Sequence, residues 1–239
     1  MKIIFWKMSI FLICFATVGK ADLTEDLYRH SLQVDHPFYE ALDRIFTSST
    51  TLDTKEGLVT AGFTIIQLRE PMFAIAKHPA LPGHLVKVHL HSSSRSRGSC
   101  WENLIGRCNA AERLRDLIKE ENLRYFTVPD KWIYTTPTKD QDPVLIVTKM
   151  NIVSEKKARH IWKNCIQRKH LEELYCIISH GCGSSKLSEN VPYTEEKVFA
   201  CIDTEKPSKG DSQLKRFLSY EMQKYWDQLV KEDKKVIKI

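Results

Sequence analysis

An amide side chain and a carboxylate flank one short predicted hairpin in the second half of this 239-residue chain. Asn190 stands before the hairpin and Asp203 after it, with a polar turn at residues 194–197 and an apolar return strand at residues 198–202. Because a hairpin folds back on itself, its two ends meet and bring both side chains to one place. Their hard oxygen atoms suit Mg²⁺, which binds a few protein oxygens together with phosphate oxygens and water. The pattern predicts the metal half of a phosphoryl-transfer site.

This loop and hairpin resemble the catalytic loop and metal-binding hairpin of the protein-kinase-like superfamily. The resemblance implies that Asn190 is the catalytic-loop asparagine and that Asp203 is the metal-binding aspartate. Ser185, five residues before Asn190, then stands where the family has the aspartate that deprotonates the acceptor hydroxyl. A serine hydroxyl does not act as that base at neutral pH unless another group activates it. Thr204 and Glu205 also replace the usual Phe and Gly, so the resemblance is to an atypical kinase or a pseudokinase.

Upstream segments fit the same plan. Residues 83–90 alternate as a strand, and Lys87 resembles the strand lysine that holds nucleotide phosphates, although a lysine in such a strand also commonly faces solvent. Apolar residues at helical spacing predict a helix from about residue 99 to 121. The resemblance implies that this helix carries a glutamate paired with Lys87. Glu112 and Glu102 are both candidates for this glutamate, and Glu112 lies nearer the apolar face of the helix.

The apolar run at residues 144–150 predicts a buried strand. In kinase-like proteins adenine lies against this strand and the hinge after it, so the resemblance assigns backbone groups near Lys149 and Asn151 to adenine. A central core strand with no ligand is an equal alternative.

A Gly-rich phosphate loop is the missing family signal. Gly57 and Gly62 stand where one is expected, but two glycines at this spacing are common in turn regions. The resemblance nevertheless implies ATP and Mg²⁺ as cofactors, with Lys87 on the phosphates.

The N-terminus has the three parts of a secretory signal. Lys2 and Lys7 precede the apolar stretch at residues 8–18, and small residues allow cleavage after Ala21. The apolar stretch is too short for a confident membrane span. The sequence predicts a signal peptide over residues 1–21, a secreted or periplasmic protein, and no stable membrane span after its removal.

The formal charge of +6 falls to about +3 when the leader is removed, because three lysines belong to it. A charge this mild does not favour nucleic acid, which requires a concentrated basic face. We therefore expect no nucleic acid partner, and a protein partner or host protein instead.

Six cysteines remain after the leader, an even number that permits disulfides in an exported chain. Cys182 and Cys201 are the candidate pair, because the loop and the hairpin bring their regions close. A cysteine protease is one rival interpretation, with Cys182 between two glycines as nucleophile and His180 or another histidine as its base.

Strand patterns lie mainly before residue 150 and helical patterns mainly after it. The sequence predicts an α+β, two-lobed protein-kinase-like fold, with a small β-rich N-lobe and a mainly helical C-lobe. Its predicted parts are the signal peptide (1–21), an N-terminal helical segment (22–56), the N-lobe with one long helix (57–150), and the C-lobe with the metal-site hairpin (151–239).

Two functions follow from this plan. The leading hypothesis is an exported kinase-like protein that binds nucleotide and Mg²⁺ and acts as an atypical phosphotransferase. The alternative is a secreted pseudokinase that binds a protein partner without catalysis. Ser185 and the missing phosphate loop favour the alternative, whereas Asn190 and Asp203 favour nucleotide binding.

Overall fold

A computed structural model describes residues 20–47, 54–69, 73–90, 97–137, 142–184, 186–204 and 211–236. Only Lys20 and Ala21 of the predicted signal peptide fall within these ranges. No helix in the described ranges has both the length and the apolar character needed to cross a bilayer.

In the described residues up to 148, three helices are followed by three strands, one long helix and three further strands, and helices dominate after that point. The described helices are α1 (Lys20–His30), α2 (Tyr39–Thr47), α3 (Lys55–Thr60), α4 (Arg97–Glu120), α5 (Glu155–Asn164), α6 (Arg168–Ser179), α7 (Leu187–Asn190), α8 (Asp211–Lys215) and α9 (Tyr220–Val236). The described strands are β1 (Thr64–Arg69), β2 (Phe73–Lys77), β3 (His84–His89), β4 (Phe126–Thr127), β5 (Lys131–Tyr134), β6 (Val144–Thr148) and β7 (Phe199–Ala200).

The main sheet has the strand order β1-β2-β3-β6-β5, and every neighbouring pair is antiparallel. The chain leaves this sheet after β3, forms the long helix α4, and returns through β5 and β6. Because β6 pairs directly with β3, Lys87 lies opposite Leu145. A second, two-stranded sheet joins β4 and β7 in parallel.

Separate apolar clusters support the two halves. One cluster lies between the main sheet and the helices that precede it, including Phe46 and Val86. A larger cluster joins α4 to the C-terminal helices and includes Trp162 and Trp226. The predicted α+β class, with an antiparallel sheet in the first half and helices in the second, is confirmed.

The glycines proposed for a phosphate loop lie elsewhere in the fold. Gly57 is in α3, where its N–H donates to the Thr54 side chain at 3.0 Å and so caps the helix. Gly62 has a φ of +89° in the turn after α3, before β1 begins. A kinase phosphate loop joins two strands, so this segment does not form one. The connector between β1 and β2 reads Glu-Pro-Met at residues 70–72 and contains no glycine.

The N-terminal helix packs across the long helix and the edge of the sheet. The Leu32 N–H donates to the Ile133 carbonyl at 2.8 Å, and Ser31 forms a parallel bridge with Ile133. On α4, the Asn109 side chain donates to Asp26 Oδ2 at 2.8 Å. These bonds fix α1 against both α4 and β5.

Candidate functional site

The hairpin brings the neighbourhoods of Asn190 and Asp203 together. The Ile202 N–H donates to the Asn190 carbonyl at 3.0 Å, and the Ala200 N–H donates to the Pro192 carbonyl at 2.9 Å. Asp203 therefore follows directly after a residue that is hydrogen-bonded to Asn190.

Aromatic packing anchors this hairpin. The Phe199 ring lies 4.1 Å from the Trp162 ring and 5.4 Å from the Phe126 ring, measured between centroids. The Trp162 indole N–H donates to the Val191 carbonyl at 3.0 Å, where it satisfies a buried backbone acceptor. Lys197 has a φ of +65°, so the turn of the hairpin uses a left-handed residue. The position of Asp203 is thus set by a packed and hydrogen-bonded framework.

The Asn190 side chain is bonded within its own loop. Its amide nitrogen donates to Ser184 Oγ at 3.0 Å, and the Lys186 N–H donates to the same oxygen at 3.2 Å. Ser185, the residue at the catalytic-base position, lies outside the described residues. Its neighbour Ser184 therefore organises the described part of this loop.

The Asp203 carboxylate contacts an arginine of α4. Arg107 Nη1 donates to Asp203 Oδ1 at 3.0 Å, and Arg107 Nε donates to the Asn103 side chain at 3.0 Å. The arginine side chain is 9% exposed and that of Asp203 is 35% exposed. Because Arg107 is buried and Asp203 is partly exposed, this ion pair lies at the inner edge of the site. The guanidinium keeps its charge at all relevant pH values.

A threonine joins the same aspartate segment to both α4 and β5. The Thr204 hydroxyl donates to the Arg107 carbonyl at 2.8 Å and accepts from Lys131 Nζ at 2.7 Å. Thr204 is 3% exposed and Lys131 is 7% exposed. Thr204, which follows Asp203, is therefore buried through polar contacts and not through apolar packing.

Lys131 is an amine in a positively charged interior. Burial is the main cause that lowers its pKa from 10.5 to about 8, followed by repulsion from Arg107. Asp203 raises that pKa and Lys87 lowers it, so both groups act on the same ammonium. Lys87 itself is 8% exposed and lies 4.1 Å from the centroid of the Phe73 ring. The interpretation of Lys87 as a solvent-facing strand residue is wrong.

The two glutamates proposed to pair with Lys87 have different surroundings. Glu112 Oε2 is 3.6 Å from Arg29 Nε and 3.8 Å from His30 Nε2, both on α1. Glu102 is exposed to solvent. The side chain of Arg107, also on α4, reaches Asp203.

Two backbone groups proposed for adenine are already bonded within the chain. The Lys149 N–H donates to the Gly83 carbonyl at 2.8 Å, and the Asn151 carbonyl accepts from the Glu195 N–H at 2.9 Å. The Asn151 amide side chain donates to Glu196 at 2.8 Å. Adenine would have to displace these bonds or use other groups of the hinge.

The cysteines are not paired. Cys100, Cys108, Cys165, Cys176, Cys182 and Cys201 are all free thiols. The predicted disulfide between Cys182 and Cys201 is therefore wrong, although each lies near the other's region. Burial raises the pKa of Cys201 to about 12 and also raises that of Cys182.

The cysteine-protease interpretation fails on the same residues. Its proposed nucleophile, Cys182, is buried, so it stays protonated at neutral pH. The proposed base, His180, has its Nδ1 within 2.8 Å of the Cys176 carbonyl, which makes that nitrogen a donor. Nε2 is then the ring nitrogen left to accept a proton, so the interpretation fails on the buried, protonated thiol and not on the histidine.

In this arrangement Arg107 and Mg²⁺ would compete for the Asp203 carboxylate. A metal ligated by Asp203 would lie close to the Arg107 guanidinium, and like charges repel strongly where solvent is partly excluded. Among the described residues, no group of three or more His, Cys, Asp and Glu side chains is arranged to hold a metal ion.

The sequence predicts no role for Arg107 or Lys131, and it does not predict the polar contacts of Thr204. A signal for Arg107 exists, because it follows Leu104 by three residues and precedes Ala111 by four. This spacing places a charged residue on the apolar face of α4. Lys131 opens a four-residue strand and carries no comparable signal.

The comparisons with known proteins add little to this geometry. No protein-family model matches the chain, and no curated protein matches it. The solved structure of vaccinia related kinase 3 is similar to it, with a TM-score of 0.35 and 13% sequence identity over 65% of this chain and 51% of that chain. The chain thus spans about half the length of that structure. The interpretation of the site rests on the strand order and side-chain contacts described above.

Proposed function

We propose that this chain is a secreted kinase-like domain that binds a protein partner and does not carry out Mg²⁺-dependent phosphoryl transfer. The observation that carries the proposal is the 3.0 Å contact between the Arg107 guanidinium and the Asp203 carboxylate. In kinase-like phosphoryl transfer a carboxylate would hold the metal ion that neutralises charge on the phosphates. In this chain the Arg107 guanidinium of α4, which is permanently charged, is bonded to the Asp203 carboxylate.

Three further features support the loss of catalysis. Ser185 replaces the catalytic aspartate, and residues 70–72 supply no glycine between the first two strands. The Lys149 N–H and the Asn151 carbonyl are bonded to the chain itself. Catalysis in this class depends on positioning and charge stabilisation, so the loss of several positioning groups removes most of it. Export is supported by the predicted signal peptide alone.

A second candidate is the atypical phosphotransferase. It is favoured by the charges around Lys131, since Asp203 raises the pKa of its ammonium and Lys87 lowers it. Both groups therefore lie near Lys131. Under this candidate, nucleotide and Mg²⁺ would draw Asp203 away from Arg107.

A thermal-shift titration of the signal-free chain separates the two candidates. A ligand that binds only the folded protein at about 100 times its Kd stabilises it by about 2.7 kcal/mol, which is a shift of roughly 5–10 °C for a chain of this size. The proposal predicts no saturable shift with ATP and Mg²⁺ together beyond that of either alone. A Mg²⁺-dependent shift that Asp203→Ala abolishes would overturn it and support the phosphotransferase.

A pair of arginine variants tests the cause. Arg107→Met frees the Asp203 carboxylate, whereas Arg113→Met removes the same charge from an exposed position on the same helix. We expect any gain in Mg²⁺ affinity to occur with Arg107→Met and not with Arg113→Met. Equal behaviour of the two variants would contradict the role given to the ion pair.

A further inference from the structure

A polar cleft of about 170 Å³ lies between α1, α4 and β5. Its lining includes Arg29 and His30 from α1, Arg115 from α4, and Lys131 from β5. We propose that this cleft binds a small phosphate-bearing ligand. The proposal is independent of the function argued for the Asp203 site.

The cleft has a buried floor and an exposed rim. On the floor, His30 and Lys131 are each 7% exposed, and Cys108 also lines the cleft. On the rim, the side chains of Arg29 and Arg115 are about half exposed. An anion entering the cleft would meet the two guanidinium groups first. The Lys131 ammonium donates to the Thr204 hydroxyl behind the floor, so its positive charge acts on the anion from there.

Cations from three separate elements converge here, although they repel one another. On its inner side, Lys131 already feels the positive charges of Arg107 and Lys87. An anion in the cleft would offset this repulsion, and the effect is strong because the floor is shielded from solvent.

The two carboxylates of the rim leave the arginines able to bind a ligand. Arg29 Nε is 3.6 Å from Glu112 Oε2, and Arg115 Nη2 is 2.7 Å from Asp130 Oδ1. Arg29 Nη2 also donates to Asp26 Oδ1 and Asn109 Oδ1. Exposed ion pairs of this kind are weak, and a guanidinium has five N–H donors, so the Nη1 groups of both arginines are left for a ligand. The carboxylates thus hold the two guanidinium groups at the mouth of the cleft.

Phosphate is the chemistry that this donor set fits. Guanidinium groups bind phosphate oxygens in a bidentate manner, and a lysine supplies a point charge. Pockets for drug-sized ligands measure about 300–1,000 Å³, which is well above the volume of this cleft. The ligand is therefore a phosphate group with a small body, and not a nucleotide.

Calorimetric titration of the signal-free chain with inorganic phosphate, at constant ionic strength, tests the proposal. We expect saturable binding that is stronger than the binding of acetate. Arg115→Gln should weaken it about tenfold or more, which is the effect of losing one charge-assisted hydrogen-bonded contact. Arg113→Gln, two residues away on the same helix and outside the cleft, should change the affinity by less than about twofold.

Amide chemical shifts give a second measurement that does not depend on the variants folding equally well. Phosphate should shift the signals of Ala111 and Trp132, which line the cleft. The proposal would be overturned by non-saturable binding, by equal weakening in Arg113→Gln, by equal affinity for acetate, or by shifts confined to other parts of the chain.

Discussion

The titration of Lys131 should make the protein more stable as the pH rises above neutral. This amine is buried beside Arg107 and donates to the Thr204 hydroxyl. Its pKa is about 8 in the folded protein, against an ordinary value of 10.5. Below pH 8 the lysine is charged in both folded and unfolded states, and the cost of burying that charge destabilises the fold.

The sign of the effect follows from proton binding. Between pH 8 and 10.5 the folded protein has lost a proton that the unfolded chain still holds, so the free energy of unfolding increases with pH. Each pH unit in this range contributes about 1.4 kcal/mol. Integrated from pH 7 to pH 9, the contribution of Lys131 is about 1.4 kcal/mol.

Urea denaturation at pH 7, 8 and 9 measures this contribution when wild type is compared with Lys131→Met. The buried thiols of Cys108 and Cys201, with pKa values raised to about 12, act in the opposite direction above pH 9. The Lys131 charge lowers both thiol pKa values, so its removal raises them. Because the thiols act mainly above pH 9 and the comparison ends at pH 9, the difference between the two profiles reports mainly the lysine. Lys157→Met, at an exposed position of α5, is the matched control and should keep the wild-type profile. Parallel profiles for wild type and Lys131→Met would refute the reasoning.

Three further predictions concern the framework of the site. Trp162→Phe leaves the buried Val191 carbonyl unpaired and should lower the free energy of unfolding by about 1–3 kcal/mol in urea; a loss below about 0.5 kcal/mol would place this bond among neutral surface contacts. Thr204→Val removes the acceptor of the Lys131 ammonium and should destabilise the protein by about 1–3 kcal/mol at pH 7, with a smaller loss at pH 9, and an equal loss at both would count against it. Iodoacetamide should label exposed Cys165 in the native protein and buried Cys201 only after unfolding, as read by peptide mass spectrometry; native labelling of Cys201 would contradict its burial.

The sequence predicts the frame of this molecule because the frame depends on local periodicity. The strand at Lys87, the long helix after it and the return strand at residues 144–148 are all visible as alternating, helical or continuous apolar patterns. The hairpin between Asn190 and Asp203 is predictable for the same reason, since a polar turn separates two apolar runs. These features require only the order of residues along the chain.

The chemistry of the site depends on contacts that the order of residues does not encode. Arg107 and Asp203 are 96 positions apart, and their pairing depends on how α4 packs against the hairpin. Lys131 and Thr204 are 73 positions apart. Glu112 lies near the apolar face of α4, and α1 supplies Arg29 and His30 as its contacts there. Tertiary packing therefore decides which partner each charged side chain of α4 meets.

Binding of Mn²⁺ in the presence of ATP tests the central claim most directly, because Mn²⁺ takes the place of Mg²⁺ and its free concentration can be followed by electron paramagnetic resonance. The account predicts that wild type and Asp203→Ala deplete free Mn²⁺ equally, since the Asp203 carboxylate is held by Arg107 at 3.0 Å. Tighter Mn²⁺ binding by wild type than by Asp203→Ala would show that the aspartate ligates metal in the working protein and would contradict the account.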